Sequence, residues 1–272
     1  PNIGQAQALV TSTAVAADRP DIILFNGDFF YREAACPQLD ESLCGSSPAP
    51  VTTLPITDSA YGWIADFLLP AAPLFRAAPL VVTRGNHEAC YRAGNGYFFI
   101  LDPLEGTSNA CAPVPVGGSL QPAPTVPSTT YAVDVPIRPG RTLRLAVADS
   151  AGGNDLAVSP FSTLQRGAYE RAAALTAKAP GRESWLLTHR PIYGYVSTEY
   201  AVPGAPFSPW TSYDQGAAAW GLLGNVDLVF SSHLHIAQVV QLPGLPAQLI
   251  LGNAGTRLDP ATGYPLPTEP YT

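Results

Sequence analysis

The chain has 272 residues, of which 46% are hydrophobic and 13% are charged, and its formal net charge is −7. This length suits one globular domain with a sizeable core, and we expect a single domain over residues 1–272. The acidic balance disfavours nucleic acid and anionic membrane surfaces as partners, because both repel a negatively charged protein. No apolar run reaches the roughly 18 to 20 residues that a membrane span needs, so we expect no membrane association.

The four cysteines fall into two close pairs, Cys36 with Cys44 and Cys90 with Cys111. None of them has zinc-finger spacing, so two disulfides that close short loops are the first interpretation. Disulfides persist in oxidising compartments, which predicts a secreted or periplasmic protein. The alternative is four reduced cysteines, some of them buried as small apolar side chains.

Helical patterns alternate with short apolar strands in the first half of the chain. Residues 5–18 show a helical pattern, and the apolar run IILFN that follows, ending at Asn26, predicts a buried strand. A loop rich in Pro, Ser, Cys and Gly covers about residues 33–57. A predicted helix through residues 61–67 then leads to a second buried strand, LVVT, which ends at Thr83.

Most of the predicted strands lie in the second half, after a proline-rich segment at residues 113–127. Helices are predicted for residues 161–178 and 214–223. The predicted strands are TYAVDV (130–135), TLRLAVA (142–148), SWLLT (184–188), VDLVFS (226–231), AQVVQL (237–242) and AQLIL (247–251). Short apolar strands separated by helices favour a layered α/β fold. Consecutive strands near each end can form antiparallel hairpins, so we expect mixed sheets in a β-sandwich flanked by helices.

Polar side chains follow directly after four of the predicted strands. IILFN leads into the turn that contains Asp28, and LVVT leads into the turn that contains Asn86. SWLLT leads into His-Arg-Pro, and VDLVFS leads into Ser-His-Leu-His. These four strand ends contain every histidine of the chain, namely His87, His189, His233 and His235. Ligands of open α/β sheets bind outside the carboxyl ends of the strands, so the pattern predicts a metal site there.

The types of candidate ligand indicate which metals would bind. Imidazole, carboxylate, amide oxygen and phenolate are hard or borderline donors, and no thiolate is among them. This mixture suits iron, zinc or manganese. One carboxylate with histidines on either side is typical of a two-metal site, with ions roughly 3.5 to 4 Å apart. We therefore expect two metal ions, with iron beside zinc, manganese or a second iron.

The motifs GDxxY, GNHE, LTH and SHLH, in this order, resemble those of the calcineurin-like metallophosphoesterase superfamily. The tyrosine three residues after the aspartate, Tyr31, is similar to that of the purple acid phosphatases. The resemblance runs from about Asp21 to Gly255 and includes a glycine-rich turn at residues 252–255. It implies a metal-dependent phosphoric ester hydrolase that acts on small phosphate esters, with phosphomonoesters as the first expectation. Phosphodiester or nucleotide hydrolysis is the alternative within the superfamily.

The resemblance also implies a role for each motif residue. The implied metal ligands are Asp28 as a bridge between the ions, Tyr31 and His235 on the first ion, and Asn86, His189 and His233 on the second. A metal-bound hydroxide would attack phosphorus. His87 would protonate the leaving oxygen or stabilise its charge, and Glu88 would orient or tune His87.

Several of these residues also have simpler interpretations. Asp28 can cap the turn after its strand, which is a common use of Asp beside Gly. Tyr31 can pack among the neighbouring aromatic side chains, and Glu88 can be a surface carboxylate. Arg190 can bind phosphate oxygens with two hydrogen bonds, or it can form a structural salt bridge. Ser232 stands where the superfamily usually has glycine, and it is small enough for the same turn.

One motif of the superfamily has no counterpart in the sequence. In the superfamily a first strand ends in an aspartate motif, DxH or DxG, which should precede the helix at residues 5–18. Only Asp18 and Asp21 precede Asp28 among acidic residues, and neither follows a strand. We expect that a short segment with this strand and aspartate precedes Pro1. The alternative is a deficient first metal site and a catalytically inactive binding protein on the same fold.

Overall fold

The computed structural model describes residues 3–30, 60–90, 94–103, 111, 114–116, 119–121, 127–155, 158–194 and 213–254. It has a mixed α/β fold, as the sequence predicts. The chain divides into two compact units. The first unit comprises residues 1–129 and 254–256, and the second comprises residues 130–253 and 257–272. The single domain remains a prediction. Among the described helices, none is long and apolar enough to cross a membrane.

Helices and two strand pairs make up the described part of the first unit. Its elements are α1 (Ile3–Ala17), β1 (Ile23–Phe25), α2 (Ala60–Trp63), a π-helix (Ile64–Leu68), α3 (Ala72–Ala77), β2 (Leu80–Val82), one turn of 3-10 helix (Asn86–Glu88), α4 (Gly96–Ile100), β3 (Val114–Val116) and β4 (Ser119–Gln121). β1 pairs with β2 in parallel, and β3 pairs with β4 in an antiparallel ribbon. The predicted helices and both buried strands are confirmed. α4 and the β3–β4 ribbon within the proline-rich segment were not predicted.

Aromatic side chains fill the core of the first unit. Phe29 and Phe30 directly follow the strand β1 and are 4% and 1% exposed. Phe29 stacks on Phe25 with ring centroids 4.6 Å apart, and Phe30 stacks on Trp63 at 5.1 Å. Offset aromatic pairs of this kind add about 0.5–1.5 kcal/mol each to the free energy gained from burial. Burial of the two phenylalanines therefore fixes the backbone next to Asp28.

A single mixed sheet organises the second unit. Its elements are β5 (Tyr131–Arg138), β6 (Arg141–Val147), α5 (Phe161–Leu175), β7 (Arg182–Leu187), α6 (Tyr213–Ala219), β8 (Leu228–Ser231), β9 (Ala237–Val240) and β10 (Ala247–Leu251). The strand order is β5-β6-β7-β8-β10-β9. β6, β7, β8 and β10 are parallel, while the β5–β6 and β9–β10 pairs at the two edges are antiparallel. The six predicted strands and the two predicted hairpins are confirmed.

Apolar residues of the central strands form the core of this second unit. Leu186 of β7, Val229 of β8 and Ile250 of β10 are at most 1% exposed. They belong to one cluster with Tyr169 and Ala172 of α5. Each fully buried side chain of this size contributes about 1.5–3 kcal/mol to stability. The sheet is therefore a rigid support for the turns at the carboxyl ends of its parallel strands.

A disulfide joins Cys90 to Cys111 in the first unit, as predicted. The two residues are separated by 21 positions, and the backbone N–H of Cys111 also donates to the side-chain oxygen of Asn95 at 2.8 Å. The bond ties the segment just after Glu88 to the segment beyond α4. The other predicted pair, Cys36 with Cys44, lies outside the described residues.

Replacing both Cys90 and Cys111 by serine should lower the free energy of unfolding by about 3 kcal/mol, because a disulfide closing a loop of this length restricts the unfolded chain. Urea denaturation measures the change. Peptide mapping without reduction should recover the two cysteines in one linked species. Free thiols at both positions, or an unchanged urea midpoint in the double variant, would contradict the bond.

Candidate metal centre

The first group of candidate residues lies where β1 and β2 end. Because these strands are parallel neighbours, their carboxyl ends leave the sheet side by side. The turn with Asp28 follows β1, and the turn with Asn86 and His87 follows β2. The side-chain oxygen Oδ1 of Asp28 accepts a hydrogen bond from the backbone N–H of His87 at 3.2 Å. The first unit therefore brings three of the predicted site residues together, while Tyr31 lies outside the described residues.

Glu88 holds these two turns together and is not a surface carboxylate. Its side chain is fully buried, at 0% exposure. Oε1 accepts the backbone N–H groups of Phe29 and Phe30 at 2.8 and 2.9 Å. Oε2 accepts those of Asp28 and Gly85, both at 2.9 Å. The carboxylate thus connects the backbones of both turns. The sequence predicted that Glu88 orients or tunes His87, and this contact between the two turns was not predicted.

The same carboxylate lies close to the charge of Asp28. Burial, with a further contribution from the charge of Asp28, raises the pKa of Glu88 to about 8, and the backbone N–H groups of Phe30, Gly85 and Phe29 oppose this shift. Two carboxyl groups so close together are costly to ionise unless a cation lies nearby. A metal ion at Asp28 fits this arrangement, because it would offset the repulsion.

The backbone around Asp28 is strained and tightly enclosed. Asp28 has a φ of +59°, in the left-handed region, and Gly27 before it has a φ of +90°. A non-glycine residue in such a conformation costs about 1–3 kcal/mol and is typical of functional positions. On the opposite turn, a Cβ on Gly85 would lie 2.1 Å from the backbone nitrogen of Asp28 and 2.2 Å from its Oδ1. The turn after β2 therefore packs directly against Asp28, and only glycine fits at position 85.

The second group of candidate residues lies at the carboxyl ends of β7 and β8, which are parallel neighbours. His189 follows β7 and is fully buried, while His233 follows β8 and has a φ of +65°. Their ring centroids are 5.1 Å apart at an interplanar angle of 70°. Their ring nitrogens approach within 4.8 Å. The second unit therefore brings together two of the predicted histidine ligands.

His235 occupies the partly buried turn between β8 and β9. This turn is tight, because the N–H of Ile236 donates to the carbonyl of Leu234 at 2.8 Å. Gly252, just after β10, donates its N–H to the carbonyl of Ile236 at 3.1 Å. A Cβ on Gly252 would lie 1.9 Å from the carbonyl oxygen of Leu234, so only glycine fits there. The predicted glycine-rich turn therefore supports the turn that carries His235.

Two polar partners of the histidines were not predicted from the sequence. The hydroxyl of Ser232 lies 3.1 Å from Nδ1 of His189. The carboxylate oxygen Oδ2 of Asp155 lies 3.2 Å from Nε2 of His233. The nitrogen opposite each contact, Nε2 of His189 and Nδ1 of His233, is then the candidate metal ligand, since metal-bound histidines usually engage their other nitrogen in this way. Asp155 lies in a loop without any motif, and Ser232 was interpreted only as a small substitute for glycine.

Arg190 forms a salt bridge with Asp155. Its side chain is buried, and its backbone N–H donates to the hydroxyl of Ser150 at 2.8 Å. Burial would raise the pKa of Asp155, but the hydrogen bond from His233 and the charges of His233 and Arg190 lower it below its ordinary value. Of the two interpretations of Arg190, the structural salt bridge is the one that the structure contains.

Replacing Glu88 by glutamine should destabilise the protein, because the amide group would face two of the four backbone donors and leave them without an acceptor. Each unsatisfied buried donor costs about 1–3 kcal/mol. Urea denaturation measures the loss. Glu170→Gln, at an exposed carboxylate on α5, is the matched control and should change stability by less than about 0.5 kcal/mol. Equal stability of the two variants would contradict the role assigned to Glu88.

Comparisons with known proteins give this arrangement a family. The family model described as calcineurin-like phosphoesterase matches residues 3–237. No curated protein sequence matches the chain. Among similar solved structures, PhoD is 13% identical with a TM-score of 0.49, and the match covers 89% of this chain and 53% of that chain. GAP50, the anchor in the inner membrane complex of Plasmodium, is 13% identical with a TM-score of 0.45, and the match covers 95% of this chain and 71% of that chain. A dimetal phosphatase from Danio rerio is 10% identical with a TM-score of 0.47, and the match covers 93% of this chain and 79% of that chain.

The chain spans about half the length of the PhoD structure. Because all three TM-scores are below 0.5, the assignment depends on the family model, which covers most of the sequence and all four histidines. That match includes the turns after β1, β2, β7 and β8, where the candidate ligands lie. The chain therefore belongs to the calcineurin-like phosphoesterase family.

Proposed function

We propose that the protein is a metal-dependent phosphoric ester hydrolase that uses two metal ions and prefers phosphomonoesters. Membership of the calcineurin-like phosphoesterase family supports phosphoester hydrolysis. The observation that carries the proposal is the placement of metal-ligand side chains at the carboxyl ends of adjacent parallel strands. Asp28 and Asn86 follow one such pair of strands, and His189 and His233 follow another. We propose that the two groups act on one substrate.

The donor set fits metal ions of the borderline class. It combines imidazole, carboxylate and amide oxygen, which suits iron, zinc or manganese. His233 has a carboxylate beside one ring nitrogen, an arrangement that orients a metal-bound imidazole. When bound, the ions would lower the pKa of a water molecule and neutralise charge on the phosphoryl oxygens.

The proposed roles of the side chains follow the family motifs. The proposed ligands are Asp28 for both ions, Tyr31 and His235 for the first, and Asn86, His189 and His233 for the second. His87 faces the substrate and donates a proton to the leaving oxygen. The backbone N–H of His87 donates to Oδ1 of Asp28, which supports a fixed position for the His87 ring. Arg190 has no proposed contact with phosphate, because its guanidinium is paired with Asp155.

An activity assay on the metal-loaded protein tests the proposal. Faster hydrolysis of p-nitrophenyl phosphate than of bis(p-nitrophenyl) phosphate is the expected result, with two metal ions per chain by elemental analysis. Preference for the diester would make the protein a phosphodiesterase of the same family. No hydrolysis of either ester, with one metal ion or none, would favour the inactive binding protein on this fold.

We also propose that the protein works in an oxidising compartment, as a secreted or periplasmic enzyme. The disulfide between Cys90 and Cys111 supports this proposal, because structural disulfides are rare where glutathione and thioredoxin keep thiols reduced. Fractionation of the natural host tests it. Recovery of the protein only from the cytoplasmic fraction, with its cysteines reduced, would contradict it.

His87→Ala should lower kcat by about 10²–10⁴-fold, the usual contribution of a general acid, while the metal content stays unchanged. The loss should be larger for an alkyl phosphate than for p-nitrophenyl phosphate, because an alkoxide needs a proton more than a nitrophenolate does. Glu170→Gln is the control and should keep full activity. If His87→Ala instead loses a metal ion, His87 is a ligand and its proposed role is wrong.

Tyr31→Phe should abolish a broad visible absorption band of the oxidised, iron-loaded protein. A phenolate is a hard anionic donor that stabilises ferric iron, so the variant should also lose iron or become easier to reduce. Tyr131→Phe, on β5, should keep the band. A colourless and fully active protein with two zinc or manganese ions would exclude the purple subtype, while the family assignment would stand.

A further inference from the structure

We infer that Asp155, which belongs to none of the recognised motifs, is a positioning residue that selects the ring tautomer of His233. The inference rests on the proposed function, in which His233 binds a metal ion. A neutral imidazole carries one proton, and only the nitrogen without it can bind a metal. The choice of tautomer therefore decides which nitrogen of His233 serves as the ligand.

Two neighbours of Nε2 of His233 favour opposite tautomers. The guanidinium of Arg190 lies 3.0 Å from Nε2, and because it can only donate, it would favour a proton on Nδ1. The carboxylate of Asp155 lies 3.2 Å from the same nitrogen, and because it can only accept, it favours a proton on Nε2. Arg190 already donates to Oδ2 of Asp155. The carboxylate thus accepts from both donors, and Nδ1 of His233 keeps the lone pair for a metal.

Hydrogen bonds to α6 hold the loop that contains Asp155. Asp214, which is fully buried, accepts the backbone N–H of Asn154 at 2.7 Å and that of Ser159 at 2.5 Å. The hydroxyl of Ser159 donates to the same carboxylate at 2.6 Å. Gly153 has a φ of +110°, and a Cβ there would lie 3.2 Å from Cβ of Asp214. The backbone is therefore fixed directly before Asp155, at Asn154, and again at Ser159.

Arg190 is fixed as well, so the partner of Asp155 cannot easily turn away. Its backbone N–H donates to Ser150, and its Nε donates to the carbonyl of Ala151 at 3.4 Å. The guanidinium therefore neutralises the carboxylate of Asp155 while it also lies 3.0 Å from Nε2 of His233. An ionised carboxylate held in this way is an acceptor only, which is the property that selection of the tautomer requires.

Ring ¹⁵N shifts of the metal-free full chain test the inference at about pH 9, above the usual pKa of imidazole. The chain has four histidines, so the ring signals can be assigned. We expect His233 with its proton on Nε2. In Asp155→Ala the proton should move to Nδ1, because the guanidinium of Arg190 still donates to Nε2, and Zn²⁺ affinity should fall by about 10- to 100-fold.

Two further variants separate positioning from a general structural effect. Asp155→Asn retains an oxygen that accepts a hydrogen bond, so it should restore most of the Nε2–H tautomer. Asp134→Ala removes a carboxylate that pairs with Arg144 at 2.6 and 2.7 Å, on β5 opposite the middle of β6. It should change neither the tautomer of His233 nor the affinity for Zn²⁺.

A proton on Nδ1 of His233 in the unmodified protein would overturn the inference, and this result requires no variant to fold. Unchanged Zn²⁺ affinity in Asp155→Ala would overturn it too. Complete loss of one Zn²⁺ ion in that variant would make Asp155 a ligand instead. If the unmodified protein binds neither iron, zinc nor manganese, the proposed function fails; if it binds Zn²⁺ and Asp155→Ala behaves like it, only this inference fails.

Discussion

Four backbone N–H groups converge on the carboxylate of Glu88, and the turns that follow β1 and β2 depend on this interaction. β1 and β2 are only three residues long, so their short ladder alone would fix the following turns poorly. Glu88 joins the two turns beyond the ladder, and burial of Phe29 and Phe30 anchors one of them. Together these contacts offset the strain of holding Asp28 in the left-handed region.

The turns after β7 and β8 use a carboxylate in a different way. Asp155 contacts side-chain donors, the imidazole of His233 and the guanidinium of Arg190, whereas Glu88 accepts hydrogen bonds from backbone N–H groups. In both units a carboxylate outside the proposed ligand set constrains a proposed ligand. The described non-glycine residues with positive φ are Arg19, Asp28 and His233, so two of the three strained positions are proposed ligands. Such strain persists only where surrounding contacts determine the conformation.

Local patterns in the sequence were sufficient to predict β1, β2 and the six strands of the second unit, and to place the proposed ligands at strand ends, but not to predict the β3–β4 ribbon. Apolar runs mark buried strands, and the polar residues that follow them mark the strand ends. Asp155 and His233 are 78 positions apart in the sequence. Asp155 also lies in a loop without periodicity, so no local pattern predicts this contact. Likewise, the sequence places Glu88 beside His87, but its hydrogen bonds to residues about 60 positions away appear only in the folded chain. Ser232 shows the same limit. Its small side chain was predicted to fit the turn in place of glycine, but its contact with His189 was not predicted.

We propose that the residues after β1 and β2 and those after β7 and β8 form one two-metal centre. Anomalous diffraction from crystals of the metal-loaded protein tests it most directly. We expect two ions roughly 3.5 to 4 Å apart, bridged by Asp28, with His189 and His233 on the same ion. A single ion, or two ions that do not share Asp28, would contradict it.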